Sequence, residues 1–479
     1  MWFFYSLNVW VILVGLFTVG YWFIRNRFSY WSKKGVPFQK PHWIFGNFGD
    51  FIKSKISFAE LSVNIYKEFK GERFGGVWQF FTPKLFAIDP PLIRDILVKD
   101  SAIWSSRGIT VNLEVDPLAA HLVNLDGKKW KSVRAKLTPT FTSGKLKQMH
   151  YLLLECGKDF EKYLDTLVAA GGIVEAREMS ARFTTDVIGS CAFGIQMNSL
   201  TDEDSLFRKM GRKIFQPTFK RKIKEFFQSS FKPLFKLLKL ATIDQDITEF
   251  FLRITKESLD YRDKSNVQRN DFVDLLRNLR NVGKPLDEDE VGDIKPQVFR
   301  TSLCLFSGRK SRDPKSTSRR SAQDESLEQR GNHLGWCGSI QSKYPPVPII
   351  GRTCIQPYRI PDTNVDLAPG TEFIIPIYAL HHDSDYYPDP EKFDPERFTD
   401  ESKSQRPAFV FLPFGNGPRN CIGEEICLRF AEQVDTRQRT LTMNSHYSIS
   451  SSNKTSAQTP RLYKVLALVA RSHFYPLFF

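Results

Sequence analysis

The chain has 479 residues, a formal net charge of +15, 41% hydrophobic residues and 14% aromatic residues. This composition predicts a globular chain with a large apolar site or a membrane contact, above the usual size of a single domain. The charge fits nucleic acid, an anionic membrane or an acidic protein partner, but no zinc-finger spacing or RNA-binding aromatic motif supports nucleic acid. Seven cysteines without paired spacing exclude a disulfide framework and indicate a reducing compartment.

The N-terminal segment from Met1 to Ile24 contains no Asp, Glu, Lys, Arg or His. A bilayer core is crossed by about 20 helical residues, so this run is long enough to span it. Basic residues follow between positions 25 and 34, which places the rest of the chain on the cytoplasmic side. A cleaved signal peptide is the alternative, but the positive start, the shorter apolar core and the small-residue cleavage site are missing. We therefore predict an uncleaved transmembrane anchor.

The segment between Ile44 and Asp100 mixes short β-rich pieces with turn signals, and a helix with a proline in its first turn starts near Pro91. In a second predicted helix, Trp130 and Arg134 are four residues apart and share a face, with Asp126 placed to cap the helix. Aromatic and basic residues alternate over 207–240 and predict amphipathic helices. The predicted fold class is mainly α with small β-sheets.

The segment 411–423 places a cysteine in a turn rich in glycine and proline. Glycines permit positive φ and the close approach of a flat ligand to the backbone. Backbone N–H groups in such a turn can converge on the sulfur of Cys421 and hold it as a thiolate. Arg419, two residues earlier, can face an anionic group of the same ligand. The combination suits a haem, with the iron on the sulfur and a propionate on the arginine.

The spacing in Phe414-x-x-Gly417-x-Arg419-x-Cys421-x-Gly423 resembles the haem-binding loop of the cytochrome P450 monooxygenases. An ordinary buried cysteine would explain an isolated Cys, but five spaced positions match here. The chain looks closest to insect microsomal P450s that oxidise plant toxins and insecticides. The resemblance implies the cytochrome P450 fold, with the membrane anchor at its N-terminus.

The resemblance also implies which residues hold the haem. Cys421 is the expected iron ligand and catalytic residue, and its thiolate would favour O–O cleavage. Trp130 and Arg134 match the Trp-x-x-x-Arg of the family's C helix, although a surface Trp–Arg stack would explain that pair by itself about as well. Phe414 would shield the sulfur from water. The predicted cofactor-binding residues are Trp130, Arg134, Arg352, Phe414, Arg419, Cys421 and Gly423.

The implied reaction inserts one oxygen atom from O₂ into an apolar substrate, a xenobiotic or an endogenous lipid, with electrons from NADPH. The implied partners are NADPH–cytochrome P450 reductase, cytochrome b5 as a further candidate, membrane lipid and the substrate. A lysine run over 128–147 is either a solvated face or a docking face for the reductase. The helices of 207–240 are either a core-facing pair or the roof of a substrate cavity, which would also draw on 107–121 and 347–350.

Two stretches depart from the family pattern. The segment 295–342 is rich in Ser, Arg, Lys, Asp and Gln, and reads as disordered or loop-like. The family's I helix, with its Ala/Gly-Gly-x-Asp/Glu-Thr element, and the Glu-x-x-Arg of its K helix are missing there, so Arg397 lacks its expected partners. After Gly423 the sequence fits the expected L helix poorly. A shifted reading frame, a mis-assembled gene model or a decayed gene would explain these abrupt changes.

The predicted organisation is a transmembrane anchor at 1–24, a basic and proline-containing hinge at 25–45, a catalytic domain at 46–430 and a divergent tail at 431–479. The expected location is the endoplasmic reticulum membrane, with the catalytic domain in the cytosol. Two alternative functions remain open: a catalytically inactive relic, with or without bound haem, and a basic nucleic-acid-binding protein, against which the apolar anchor argues.

Overall fold

The computed structural model describes residues 2–169, 176–202, 205–216, 218–265, 267–282 and 333–424. The described chain is mainly helical with two small β-sheets, which confirms the predicted fold class. The helices before the first long gap are α1 Trp2–Phe28, α2 Tyr30–Lys33, α3 Gly49–Ile52, α4 Phe58–Glu68, α5 Pro90–Arg94, α6 Gly127–Leu137, α7 Ser143–Ala169, α8 Ala176–Ile188, α9 Leu206–Phe215, α10 Phe219–Ser230, α11 Lys232–Leu237, α12 Gln245–Ser265 and α13 Phe272–Val282.

The remaining elements follow the same chain order. Helices α14 His333–Lys343, α15 Ile377–His381 and α16 Asp400–Ser404 lie in the last described range. The strands are β1 Phe74–Gln79, β2 Thr82–Ala87, β3 Ile350–Thr353, β4 Tyr358–Arg359, β5 Asp366–Leu367 and β6 Glu372–Ile375. Most of the divergent segment predicted at 295–342, where the family's I helix is missing, and the tail predicted at 431–479 lie outside the described residues.

Helix α1 covers the predicted anchor and continues to Phe28. Within the described residues, no helix combines the length and the apolar character that crossing a membrane requires. The structure therefore does not confirm the predicted transmembrane span.

Several predicted helices are confirmed, and their ends follow from local chemistry. Helix α5 begins at Pro90, and the side chain of Asp89 accepts the N–H of Leu92 at its N-terminus. Trp130 and Arg134 lie on α6, as their spacing predicted. The basic and aromatic segment over 207–240 forms the three helices α9, α10 and α11.

The larger sheet has the strand order β1-β2-β6-β3. Strands β1 and β2 form an antiparallel hairpin, β6 runs parallel to β2, and β3 runs antiparallel to β6, with Arg352 opposite Phe373. A bridge between Ser106 and Thr353 attaches the loop that follows residue 100 to the edge strand β3. This pairing brings a loop from the first quarter of the chain beside Arg352.

Two large apolar cores each include a residue from the start of the cysteine loop. One core packs residues of α6, α7, α8, α12 and α13 around Trp130 and includes Phe414. The other packs the larger sheet against the N-terminal helices and includes Leu412. Since Phe414 and Leu412 belong to different cores, the start of the cysteine loop is packed into both.

Helix α14 occupies the end of the segment that departs from the family pattern. Residues 333–342 are helical, so this end of the segment differs from the loop-like structure predicted for 295–342. The helix packs on the Pro395–Phe398 turn, where Ser339 Oγ accepts the N–H of Asp394 at 2.9 Å. Arg397 instead bonds locally, to the carbonyl of Asp389 at 2.7 Å and to the carboxylate of Asp394 at 3.6 Å.

Candidate active site

The cysteine loop is a tight turn that close backbone packing restricts to glycine. Gly417 has φ +76°, and a Cβ at this position would lie 1.9 Å from the carbonyl oxygen of Leu97. The N–H of Cys421 donates to the carbonyl of Phe414 at 2.9 Å and closes the loop. The N–H of Gly423 approaches Cys421 Sγ at 3.3 Å. The backbone therefore supplies an N–H donor to the sulfur, as the sequence predicted.

The surroundings of the Cys421 sulfur act on its protonation in opposite directions. Burial raises the pKa of the thiol to about 12, while the Gly423 N–H and the positive charges of Arg134 and Arg107 oppose this rise. The protein alone thus keeps the sulfur protonated at neutral pH. A cation bound directly to the sulfur would favour the thiolate, because a metal ion displaces the proton from a coordinating thiol.

Helix α6 places Trp130 and Arg134 against the cysteine loop. The guanidinium of Arg419 lies over the ring of Trp130, 4.2 Å from its centroid. Arg134 donates to the backbone carbonyl of Asn420 at 2.7 Å and to its side-chain oxygen at 2.9 Å. The Trp-x-x-x-Arg pair therefore contacts the residues beside Cys421 directly, which a surface stack would not do.

Asp126 occupies the N-cap position of α6, but its side chain does not cap the helix. Its carboxylate accepts the hydroxyl of Ser106 at 2.6 Å, the N–H of Arg107 at 3.3 Å and a guanidinium N–H of Arg419 at 2.9 Å. The predicted cap is therefore wrong, because these three donors engage the carboxylate instead. Asp126 instead joins the cysteine loop to the segment after residue 100.

Arg107 is a residue of the site that the sequence analysis placed only in a substrate loop. The N–H of Thr353 donates to the carbonyl of Ser106 at 2.8 Å, which holds Arg107 beside β3 and Arg352. Arg107 also donates to the carbonyl of Arg419 at 3.3 Å. No local pattern marks it, since only the pairing of two distant segments brings it to the cysteine loop.

The site gathers more positive charge than it neutralises. Arg352 and Arg419 are 3% and 5% exposed. Burial lowers the pKa of Arg352, and the charges of Arg107 and Arg419 lower it further. Burial likewise lowers the pKa of Arg419 to about 10, although Asp126 partly opposes this change. Burial also lowers the pKa of Arg134.

Several guanidinium nitrogens of this arginine group (Arg107, Arg134, Arg352 and Arg419) lack partners. Arg419 Nε, Arg419 Nη1 and Arg107 Nε are buried without a hydrogen-bond partner in the described part of the chain. A buried donor without a partner costs about 1–3 kcal/mol, and more when it is charged. The arrangement fits a ligand that brings carboxylates to these nitrogens and an electron-deficient centre to the sulfur. A haem, with two propionates and an iron, has this combination.

Of the predicted site residues, the structure brings Trp130, Arg134, Arg419 and Cys421 into one contiguous group. Arg352 joins them through its electrostatic interactions with Arg107 and Arg419. Two further residues lie in the same loop, because Phe414 is buried in the helical core and Gly423 contacts the sulfur. A mainly helical fold with a cysteine loop beside buried arginines is the arrangement of the haem-thiolate class of proteins.

Comparison with known proteins identifies the family within this class. The cytochrome P450 family model matches residues 36–298 and 340–431. The chain is 37% identical over 442 residues to probable cytochrome P450 6a13 of Drosophila melanogaster, covering 86% of this chain and 88% of that protein. It is 34% identical to cytochrome P450 6a2 of the same species, with 96% of each chain covered. It is 35% identical to cytochrome P450 6k1 of Blattella germanica, with 86% of each covered.

The chain belongs to the cytochrome P450 family of monooxygenases. These three relatives are insect proteins, in agreement with the resemblance seen in the sequence. The family match leaves out residues 299–339, which lie inside the divergent segment at 295–342.

Proposed function

We propose that this protein is a haem-thiolate monooxygenase that inserts one oxygen atom from O₂ into an apolar substrate, with NADPH-derived electrons delivered by a reductase. The observation that carries the proposal is the arginine group around Cys421, in which Asp126 is the only carboxylate bonded to these arginines among the described residues. When bound, haem supplies the oxygen activation. The residues of the chain bind it, orient it and keep water from the sulfur.

The proposed roles follow from the contacts of each residue. Cys421 would ligate the iron, with the Gly423 N–H supporting the negative charge on its sulfur. Arg419 and Arg107 have unpaired buried nitrogens, so both are suited to receive propionate oxygens. The buried ring of Phe414 belongs to the same apolar cluster as Cys421 and would limit access of water to the sulfur.

Trp130, Arg134 and Arg352 would complete the cofactor site. The Trp130 ring would hold the Arg419 guanidinium in place through their stacked contact. Arg134 would fix the backbone at Asn420, next to the ligand sulfur. Arg352, which is almost fully buried, would gain a carboxylate partner from the cofactor.

We further propose attachment to the endoplasmic reticulum membrane through α1. Its side chains from Trp10 to Trp22 include many large apolar residues that are at least half exposed, such as Phe17 at 76%. An apolar surface of this kind is unfavourable in water and favours contact with lipid. The proposed partners, a reductase, cytochrome b5 and membrane lipid, would meet the protein at this membrane.

The carbon monoxide difference spectrum of the reduced, purified full-length chain tests the haem ligation. We expect the shifted Soret band of thiolate ligation in the wild type and its loss in Cys421→Ser. Cys354→Ser is the matched control, because Cys354 is a buried thiol whose sulfur donates to the carbonyl of Ala368, a bond that a serine hydroxyl can keep. An unchanged band in Cys421→Ser would contradict the proposed ligand.

The second candidate is an inactive relic of the family. It is favoured by the interrupted family match over 299–339 and by the missing Glu-x-x-Arg. Among the described residues, the side chain of Arg397 bonds instead to the carbonyl of Asp389 and the carboxylate of Asp394. A wild-type chain without the thiolate band would support the relic. A chain that shows the band but consumes no NADPH with reductase and substrate would identify a haem-binding relic.

A further inference from the structure

The strongest unexplained feature is a cavity of about 330 Å³ beside the arginine group. Its wall combines apolar side chains of the loop after Arg107 with polar and charged groups from α6, α11 and β3. Ile109, Val111 and Leu113 form the apolar part, and the lysines Lys129, Lys232 and Lys236 contribute the cationic part. A pocket of this size and mixed lining accommodates a small amphipathic molecule.

The charges of the wall do not cancel. Glu372, next to the cavity, pairs with both Lys232, at 3.0 Å, and Lys84. Burial alone would raise the pKa of Glu372, but the charges of these two lysines outweigh it and lower the pKa. Asp126, which lines the cavity, is already engaged by Arg419. Glu372 is therefore outnumbered by its two lysines, and the charge of Asp126 is already matched by Arg419.

Two lysines of the wall remain without a counter-charge. Within the described ranges, neither Lys129 nor Lys236 has an ion-pair partner, and both are exposed at the mouth of the cavity. Lys236 lies one helical turn after Lys232 on α11, so the two ammonium groups are on the same face of the helix. This face presents an unneutralised positive charge toward the cavity.

A buried polar group provides an independent sign of a ligand. Thr353 is 6% exposed and lines the cavity, yet its hydroxyl has no hydrogen-bond partner in the described part of the chain. The hydroxyl lies close to the loop, since a Cβ at Gly108 would be 2.2 Å from Thr353 Oγ1. A hydroxyl buried without a partner costs about 1–3 kcal/mol, which a hydrogen bond to a ligand oxygen would recover.

We propose that this cavity binds the carboxylate end of an amphipathic acid, with the acid's apolar part against Ile109, Val111 and Leu113. The lysines attract the carboxylate, and the Thr353 hydroxyl donates to it. As a substrate site, the cavity rests on the proposed monooxygenase function. It narrows the apolar substrate of that function to a molecule that carries an acid group.

Binding of octanoate and its neutral analogue octanamide tests the site. Both are titrated by calorimetry into haem-loaded full-length protein in phosphatidylcholine nanodiscs, with empty nanodiscs as the blank. We expect the wild type to bind octanoate at least about fivefold more tightly than octanamide, since each charge-assisted contact contributes on the order of 1 kcal/mol. Equal affinity for the two probes would overturn the proposal.

A matched pair of lysine variants tests whether the charge that attracts octanoate lies at the cavity. Lys236→Gln removes an ammonium group from the cavity, while Lys220→Gln removes an exposed one from α10 that does not line it. We expect octanoate affinity to fall about three- to fivefold in Lys236→Gln and to be unchanged in Lys220→Gln, with octanamide unaffected in both. Equal losses of octanoate affinity in the two variants would show that only the net charge of the protein matters, which would contradict the proposed site.

Thr353→Val tests the buried end of the cavity with almost no change in side-chain shape. We expect a lower affinity for octanoate and a smaller loss for octanamide, whose uncharged carbonyl accepts a weaker hydrogen bond. An unchanged octanoate affinity would contradict the proposed placement of the carboxylate. The carbon monoxide spectrum of each preparation reports on the proposed function separately. If the protein prefers octanoate but lacks the thiolate band, the cavity site is supported and the monooxygenase function is contradicted. If the band is present but octanoate and octanamide bind equally, the monooxygenase function is supported and the cavity site is contradicted.

Discussion

At the residue scale, Arg352 is a buried positive charge whose unfavourable energy an anionic ligand can relieve. It is 3% exposed, and among the described residues its side chain has no carboxylate partner and donates to the carbonyl of Gly351 at 2.9 Å. Burial and the neighbouring charges of Arg107 and Arg419 lower its pKa. The same charge that destabilises the ligand-free protein would strengthen binding of an anionic cofactor.

Replacing Arg352 with methionine separates these two effects. We expect Arg352→Met to stabilise the haem-free protein by about 1–2 kcal/mol, because an unpaired buried charge is removed. The same change should weaken haem binding about tenfold, because a charge-assisted contact is lost. Urea unfolding of the haem-free protein and haem titration measure the two quantities. Lys220→Met is the control, because it removes a positive charge that is exposed to solvent. A loss of stability in the haem-free Arg352→Met protein would contradict this account.

His381 provides a pH dependence at the residue scale. The imidazole is buried, accepts the N–H of Leu412 at Nε2 and faces the carbonyl of Gln341 with Nδ1, which fixes the neutral tautomer. Burial lowers the pKa of His381 to about 3, with smaller contributions from His382 and Arg406. An unfolded histidine binds a proton below pH of about 6.5, whereas the folded one stays neutral.

This difference predicts that the His381 contribution to stability falls as the pH decreases from about 6.5 toward 3. The unfolded state then binds one more proton than the folded state, and the loss approaches about 1.4 kcal/mol per pH unit. His381→Gln keeps an acceptor for the N–H of Leu412 but cannot be protonated. The free energy of unfolding of this variant should therefore decrease less steeply than that of the wild type between pH 6 and pH 4. Parallel slopes in urea unfolding of both proteins would exclude the buried neutral histidine.

At the element scale, α14 shows how the divergent segment rejoins the family fold. The helix packs so closely on the Pro395–Phe398 turn that a Cβ at Gly338 would lie 2.5 Å from the Phe398 ring. The same ring is flanked by the guanidinium of Arg406, 4.9 Å from its centroid. The contact depends on a glycine in the middle of a helix, where propensity alone would disfavour it.

A pair of glycine substitutions tests this contact. Gly338→Ala should destabilise the protein by about 1–3 kcal/mol, because the added methyl group overlaps a buried ring. Gly211→Ala, in α9, should stabilise it by about 0.5–1 kcal/mol, because a Cβ there meets no atom within 4 Å and alanine favours the helix. Thermal unfolding of both variants gives the comparison, and similar shifts in the same direction would show that α14 does not pack as described.

At the scale of the whole molecule, contacts between distant parts of the chain hold the sheet and its core together. The larger sheet pairs β2 with β6, although nearly 290 residues separate the paired residues Lys84 and Glu372 in the chain. Tyr66 Oη donates to Asp383 Oδ2 at 2.7 Å across a separation of 317 residues. Burial and this hydrogen bond raise the pKa of Tyr66, so the phenol remains a donor over the whole physiological range.

Tyr66→Phe removes this long-range hydrogen bond and retains the ring. We expect a loss of about 1–2 kcal/mol in the free energy of unfolding, because the buried carboxylate of Asp383 keeps Lys70 but loses a donor. Tyr261→Phe is the control, since that side chain is 62% exposed. A Tyr66→Phe protein as stable as the control would indicate that the two parts of the chain do not depend on this contact.

The sequence alone was sufficient for features that short stretches encode. The spacing around Cys421 predicted a glycine turn whose backbone donates to the sulfur, and the structure has the Gly423 N–H at 3.3 Å from that atom. The four-residue spacing of Trp130 and Arg134 predicted a shared helix face, and α6 provides it. These features follow from local backbone geometry, in which each residue restricts only its near neighbours.

Only the tertiary structure decided the features that depend on distant segments. Arg107 joins the site because Ser106 pairs with Thr353, almost 250 residues later. The side chain of Asp126 does not cap α6 because it accepts hydrogen bonds from Ser106 and Arg419. Residues 333–343 likewise form a helix that packs against Phe398, a contact that the polar composition of 295–342 did not indicate. Such contacts follow from burial and charge summed over the folded chain, which no local pattern records.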